Sequence, residues 1–197
     1  MFLNKTIFKK WIRNAYCHGG LTVGMIYGGL VLSAKGWITW TKDGAVPNWV
    51  KAAVMEHTGE LPGRERVFKA QKNELLQYEI SDNGCFDLPE RFLEAREAFT
   101  VTPITYAPGY TAYRLLQSRA TKRIILLPED YYSIIDLSEL GEENPPMGPS
   151  CKSAIEGSFM MWKNENSALA VSSMEGGYDK HEIGKLLQEV DFGKEDY

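Results

Sequence analysis

Residues that usually carry chemistry are scarce in this chain. Its 197 residues include only three cysteines, Cys17, Cys85 and Cys151, and three histidines, His18, His57 and His181. No Cys-x-x-Cys pair occurs, which excludes a zinc ribbon and a dense disulfide framework and favours a reducing, cytoplasmic setting. No two histidines stand at i and i+4, so no metal site is expected. The glycines at Gly19-Gly20, Gly24 and Gly28-Gly29 match neither a dinucleotide fingerprint nor a P-loop, and no cofactor is expected from them. Gly-x-Ser-x-Gly, Ser-x-x-Lys and calcium-loop patterns are also lacking. The longest apolar run, 21–34, is shorter than the roughly 20 residues of a spanning helix and is interrupted by glycines, so no membrane segment is expected. Lys5, Lys9, Lys10 and Arg13 precede it as a signal peptide's basic region would, but they extend over too long a stretch.

What is present reads as an ordinary globular composition, 44% apolar and 24% charged, with a net charge of −4. That balance disfavours wholesale attraction to nucleic acid or anionic lipid while leaving room for a local basic face. The length and even composition predict a single compact domain over 1–197. The chain is organised around Leu21–Thr41, almost free of charge, which breaks into Leu21–Tyr27, Leu30–Ala34 and Trp37–Thr41 at Gly28-Gly29 and Lys35-Gly36. Short apolar runs separated by glycine turns predict two or three antiparallel strands.

Before this core, Asn4 is placed to cap a helix from Lys5 to about Tyr16, with Ile7, Phe8, Trp11, Ile12 and Ala15 on its apolar face. Lys9, Lys10 and Arg13 lie largely opposite and make the most basic surface of the chain. Pro47 opens a second helix that Gly59 closes, with Val46, Trp49, Val50, Ala53 and Val54 as its buried stripe. Strands are expected at about 66–70 and 75–80, with a turn and a pseudo-repeat boundary at 81–84.

Beyond it, Cys85–Leu93 (CFDLPERFL) is echoed by Ile124–Tyr132 (IILLPEDYY). Each reads as a short strand, then Leu-Pro-Glu, then a helix, because proline at the first helical position needs no amide partner and an acidic neighbour suits the helix's positive end. Strand-like residues follow each unit, at 99–106 and 110–116 and at 152–163 and 167–173. The expected fold class is α+β: antiparallel sheet with helices packed on one face, built from repeated helix plus strand-pair units. Residues 141–149 are expected as an exposed loop, 179–190 as a last helix and 193–197 as a loose tail.

The strand–helix repeats, the cations on the first helix and the similar stretches GLVLSAKGWITWTKD (29–43) and NSALAVSSMEGG (166–177) resemble the organisation of DNA sliding clamps. In that family, helices line a basic hole around the duplex, so the resemblance implies a DNA-associated protein acting through Lys9, Lys10 and Arg13. The chain departs from the pattern at the helix over 128–136, which carries Glu129, Asp130 and Asp136 in place of cations, and four full units would need a longer chain.

Further basic residues beside aromatics, Arg64 and Arg66 near Phe68 and Lys122 and Arg123 following Tyr110 and Tyr113, are additional candidate contacts with nucleic acid or a partner. An enzymatic reading would rest on Cys17, His18 and His57 alone. The leading expectation is a non-enzymatic binding protein with a protein partner, favoured by 5 Trp, 10 Tyr and 8 Phe, the usual anchors of interfaces. Duplex DNA is the alternative partner, and a homo-oligomer is compatible with the same surface aromatics.

Overall fold

The computed structural model describes residues 1–78, 84–136, 138, 144–153, 159–173 and 182–193, of which 182–184 by their backbone alone. Three meanders account for most of it. Helix α1 (Lys5–His18) leads into strands β1 (Leu21–Ile26), β2 (Gly29–Ala34) and β3 (Trp37–Lys42), and helix α2 (Asn48–Thr58) leads into β4 (Arg66–Ala70). Helix α3 (Leu88–Glu94) precedes β5 (Glu97–Tyr106), β6 (Tyr113–Ser118) and β7 (Ile124–Pro128). The one-turn helix α4 (Glu129–Tyr132) precedes β8 (Met147–Cys151), β9 (Phe159–Lys163) and β10 (Ser167–Ser172), and α5 (Glu182–Gln188) follows. The strands form one ten-stranded sheet in the order β4-β1-β2-β3-β10-β9-β8-β5-β6-β7. Every pairing between neighbouring strands is antiparallel.

The repeated unit is therefore a helix followed by three strands in three of four instances, rather than a helix plus a strand pair. The chain lays the first meander, adds β4 to its outer side, builds β5–β7 at the far end, and closes the gap with β8–β10. Within the sheet, the described residues pair the β5–β7 meander to the rest at Glu97↔Cys151 and Ala98↔Ser150. Beyond those two residues β5 turns toward β6, with a register shift between Val101 and Thr105 where Pro103 cannot donate to the ladder.

Helices cover both faces of the sheet, which corrects the expectation of one. On the first face Leu30, Leu32, Trp37, Met160, Trp162, Leu169 and Val171 are buried with Phe8, Ile12 and Ala15 of α1 and Val50, Ala53 and Val54 of α2. On the second, Val31, Ile38, Trp40, Met161, Ala168 and Ala170 are buried with Leu88 of α3, and Phe86 and Phe92 pack against them. The cause lies in the central strands, which are apolar at consecutive positions and not at alternate ones, so a sheet exposed on one side would leave Val31, Ile38 and Trp40 in water.

Local details decide the turns. Tyr27 and Gly28 both take positive φ, 52° and 68°, so the β1–β2 turn sits one residue earlier than Gly28-Gly29. Gly29 instead opens β2, where a Cβ would collide with the Thr41 carbonyl and the Trp40 indole. The Lys35-Gly36 turn forms as expected, with Gly36 at φ 85°. Asn4 Oδ1 accepts from the Thr6 and Ile7 amides and caps α1. Gly59, in the left-handed region at φ 79°, ends α2.

The strand expected over 75–80 does not form in its described part. The chain turns at Asn73 (φ 65°) and only Gln77 bridges back, to Lys69, while Leu76 turns inward and Leu75 is exposed. Cys85–Asp87 is a turn and not a strand, so the two Leu-Pro-Glu units differ in what precedes them. The second helix of the pair is confined to Glu129–Tyr132, short of the 128–136 expected. Within 141–149, β8 takes up Met147–Pro149 and residues 141–143 lie outside the described residues, as do 79–83, 154–158, 174–181 and 194–197.

Candidate functional site

An aromatic cleft lies between the last two turns of α1, the β2–β3 turn and α4. It has a volume of about 290 Å³ and is lined by Trp11, Asn14, Ala15, His18, Gly19, Ala34, Lys35, Trp37 and Tyr131. Trp37, at the start of β3, is buried and forms part of the wall against the core. Trp11 lies against it, ring centroids 5.5 Å apart at 37°, and Tyr131 meets Trp11 edge-on at 5.3 Å and 76°. Phe8 supports Trp37 from the core side at 5.9 Å. Edge-to-face contacts of this kind hold aromatic rings in fixed orientations.

The sequence brings these side chains together through three anchors. At about 100° per residue, Trp11, Asn14 and His18 fall on one flank of α1's buried stripe, while Lys9, Arg13 and Tyr16 fall on the other. The entry to α1 is tied to the segment after α4, because the Asn4 amide donates to the Ile134 carbonyl and the Asp136 amide to the Phe2 carbonyl. The Asn4 side-chain amide also donates to Asp136 Oδ2 at 3.1 Å.

Helix α4 is itself fixed by Arg114, whose guanidinium makes two hydrogen bonds to Glu129, 3.0 and 2.6 Å, and lies 5.0 Å over the Tyr132 ring. Those bonds raise the Arg114 pKa above its ordinary value. Tyr131 is thereby laid across Gly36, where a Cβ would run into its hydroxyl. Burial, and secondly the Asp130 charge, raises the Tyr131 phenol above its usual pKa, so it stays neutral and able to donate. Around the cleft, Asn14, His18 and Lys35 are exposed and make no hydrogen bond or ion pair with a described residue.

The cations singled out from the sequence separate into three places. Lys9, Lys10 and Arg13 are exposed on α1 with no ion pair among the described residues; Lys9 and Arg13 lie on the flank away from Trp11 and His18, and Lys10 on the outer side, one turn before Asn14. Arg64 and Arg66 lie at β4, the first strand of the sheet, where Arg64 approaches Asp43 at 3.6 Å. Lys122 and Arg123 lie at the β6–β7 turn, at the other end. With strands about 4.8 Å apart, these ends are on the order of 40 Å apart in a flat sheet, less with twist, so they do not form one basic face. Lys122 is engaged with Asp191 at 2.6 Å, beside the buried Gln117 that donates to the Leu187 and Val190 carbonyls and accepts from the Phe192 amide. This pair fastens the C-terminal segment.

The three candidates for enzymatic chemistry do not converge on one another. His57 stacks on Tyr16, centroids 5.1 Å apart at 15°, and joins α2 to α1. Glu60, just beyond the end of α2, accepts from the Tyr78 hydroxyl. Cys17 and His18 are adjacent on α1 and point about 100° apart, with no hydrogen bond between them. All three cysteines are free thiols. Among the described residues no cluster of His, Cys, Asp or Glu could hold a metal ion, and no helix is long and apolar enough to cross a membrane. Trp11 was legible in the sequence only as a core residue, and Asn14, Lys35 and Tyr131 carried no signal, since a cleft depends on contacts between segments about a hundred residues apart.

No protein-family model matches this chain, and neither the curated proteins nor the solved structures contain a match to it.

Proposed function

We propose that this is a non-enzymatic binding protein that engages a protein partner at the Trp11–Trp37–Tyr131 cleft. The observation that carries this reading is the cleft itself: three aromatic rings in mutual contact, with exposed polar side chains around them that have no partner within the described chain. Aromatic anchors in a concave, partly desolvated setting are what concentrate binding energy in protein interfaces. The test places a photo-crosslinking amino acid at Asn14, on the cleft rim, and separately at Leu93, exposed on α3. In extract of the source cells, a discrete cross-linked species is expected from the Asn14 position and not from Leu93. Equal labelling at both, or none at Asn14, would count against the reading.

A second reading is favoured by a different observation. Helices α1 and α2 lie side by side on one face of the sheet, and α1 turns Lys5, Lys9, Lys10 and Arg13 outward. A DNA-associated, clamp-like protein would use that row against phosphates. It predicts salt-sensitive binding to duplex DNA that disappears when Lys9, Lys10 and Arg13 are changed to Glu. Binding that survives the triple change, or no binding at low salt, removes it.

A further inference from the structure

The charge around the cleft is one-sided. No carboxylate is among its lining residues, whereas Lys35 supplies a cation and, like the polar side chains of Asn14 and His18, is exposed at the cleft's edge. Asp130, exposed on α4 before Tyr131, does not line the cleft, although its charge reaches the Tyr131 phenol; Glu129 on the same turn is taken up by Arg114. The carbonyl end of α1 would repel an anion: the Ala15 carbonyl accepts from the Gly19 and Gly20 amides, at 3.1 and 2.8 Å, and the Tyr16 carbonyl from the Lys72 amide, but the dipole of the last turn still points its negative end this way. An anion is therefore best placed on the Lys35 side, away from the helix end. The volume, about 290 Å³, corresponds to roughly ten water molecules at about 30 Å³ each. That space suits one aromatic ring with its substituents.

Resting on the protein-binding reading above, we infer that the cleft takes the C-terminal aromatic residue of a partner polypeptide, its ring against Trp11, Trp37 and Tyr131 and its free carboxylate beside Lys35. The mouth is open to solvent along the exposed surface of Asn14 and Lys35, so the preceding residues of such a chain have room to leave the cleft. A ring alone would find the apolar walls but leave Lys35 without a counter-charge. A carboxylate alone would pair with Lys35 only weakly, as exposed ion pairs do. Together they account for both halves of the lining.

The test uses the full chain and short synthetic peptides of identical sequence except at the last position. One ends in Tyr with a free carboxylate, one in Tyr with a C-terminal amide, and one in Leu with a free carboxylate. Titration by calorimetry or by change in tryptophan emission should give an affinity for the Tyr acid about two- to fivefold above its amide, the scale of one exposed charge interaction, and at least as far above the Leu acid, which lacks the ring. Lys35→Gln should lower the Tyr acid to the level of its amide, and Lys152→Gln, on the distant β8 end, should change nothing. Tyr131→Phe keeps the ring and should retain most of the preference for aromatic over Leu. Equal binding of acid and amide, indifference to Lys35→Gln, equal binding of the Leu peptide, or no binding by any peptide would overturn the inference. If that occurs while the Asn14 cross-link persists, the carboxylate-and-ring assignment falls alone; if the cross-link is also lost, the protein-binding reading falls with it.

Discussion

Two nine-residue stretches of this chain share a tripeptide and end up with opposite duties. In Cys85–Leu93, Leu-Pro-Glu begins a two-turn helix that lies on the second face of the sheet, with Leu88 fully buried and Asp87 capping the Glu90 amide at 3.1 Å. In Ile124–Tyr132, Leu-Pro-Glu ends strand β7 and starts a single turn whose Glu129 is held by Arg114 and whose Tyr131 walls the cleft. The local signal sets where a helix starts, through the missing amide of proline and the acidic first turn. How far the helix runs is decided elsewhere. After α3's first turn, Phe92 still finds the second face; after α4, Ile134 is pulled into pairing with the N-terminal residues Phe2 to Asn4, and the helix stops.

The comparison can be broken from either side. Leu88→Ala leaves a cavity beneath α3 and is expected to cost about 2–5 kcal/mol in denaturant unfolding while peptide affinity at the cleft is unchanged. A parallel loss of affinity would mean that the two units are coupled through the sheet. Glu129→Gln weakens the paired hydrogen bonds to Arg114 and should cost about 0.5–1.5 kcal/mol, since both side chains are partly solvated. It should nonetheless lower affinity at the cleft, because Tyr131 loses its fixed base; unchanged affinity would show that α4 needs no such anchor. Asp87→Ala removes only a cap, and about 1 kcal/mol is expected from thermal unfolding with no effect on binding. Lys152→Ala breaks an ion pair with Glu94 at 2.8 Å whose partners are 76% and 54% exposed, and no measurable shift in Tm is expected.

A chemical probe sharpens the same contrast between core and surface. Burial, with a smaller contribution from Glu97, pushes the Cys151 thiol up to about 12, whereas Cys85 is exposed in the turn before α3. In native protein at pH 8, Cys85 should react first with a thiol reagent, and Cys151 should react only on unfolding. The sign of the pH effect follows from the raised value. The Cys151 contribution to stability is complete below the unfolded thiol's pKa and is lost as pH rises from about 9 toward 12, so alkaline unfolding should ease in that window and Cys151→Ser should flatten the loss.

Much of the core was readable from the sequence, and so was one mistake about it. The strands around Leu21–Thr41, the Asn4 cap, and the Pro47 and Gly59 limits of α2 follow from local chemistry and form as expected. The number of covered faces was legible too, in the consecutive apolar residues of Gly29–Ala34 and Trp37–Thr41, since a sheet with one wet face alternates. The pairing of β10 with β3 was not, because it joins residues more than a hundred positions apart and leaves no local trace. The cleft was hidden for the same reason: Trp11, Trp37 and Tyr131 are each consistent with simple burial until the N-terminal residues pair with Ile134 and Asp136. The basic clusters fared differently, since Arg64 and Arg66 go to one end of the sheet and Lys122 and Arg123 to the other.

The indole signals give the most direct test of the cleft as a binding site. The chain has five tryptophans, and a two-dimensional amide NMR spectrum resolves each indole N–H as its own signal. On adding the peptide that ends in a free-acid tyrosine, the signals of Trp11 and Trp37 are expected to move together and saturably, while those of Trp40, Trp49 and Trp162 stay in place. Movement of Trp40, which packs on the opposite face of the sheet, or no movement of Trp11, would contradict the account.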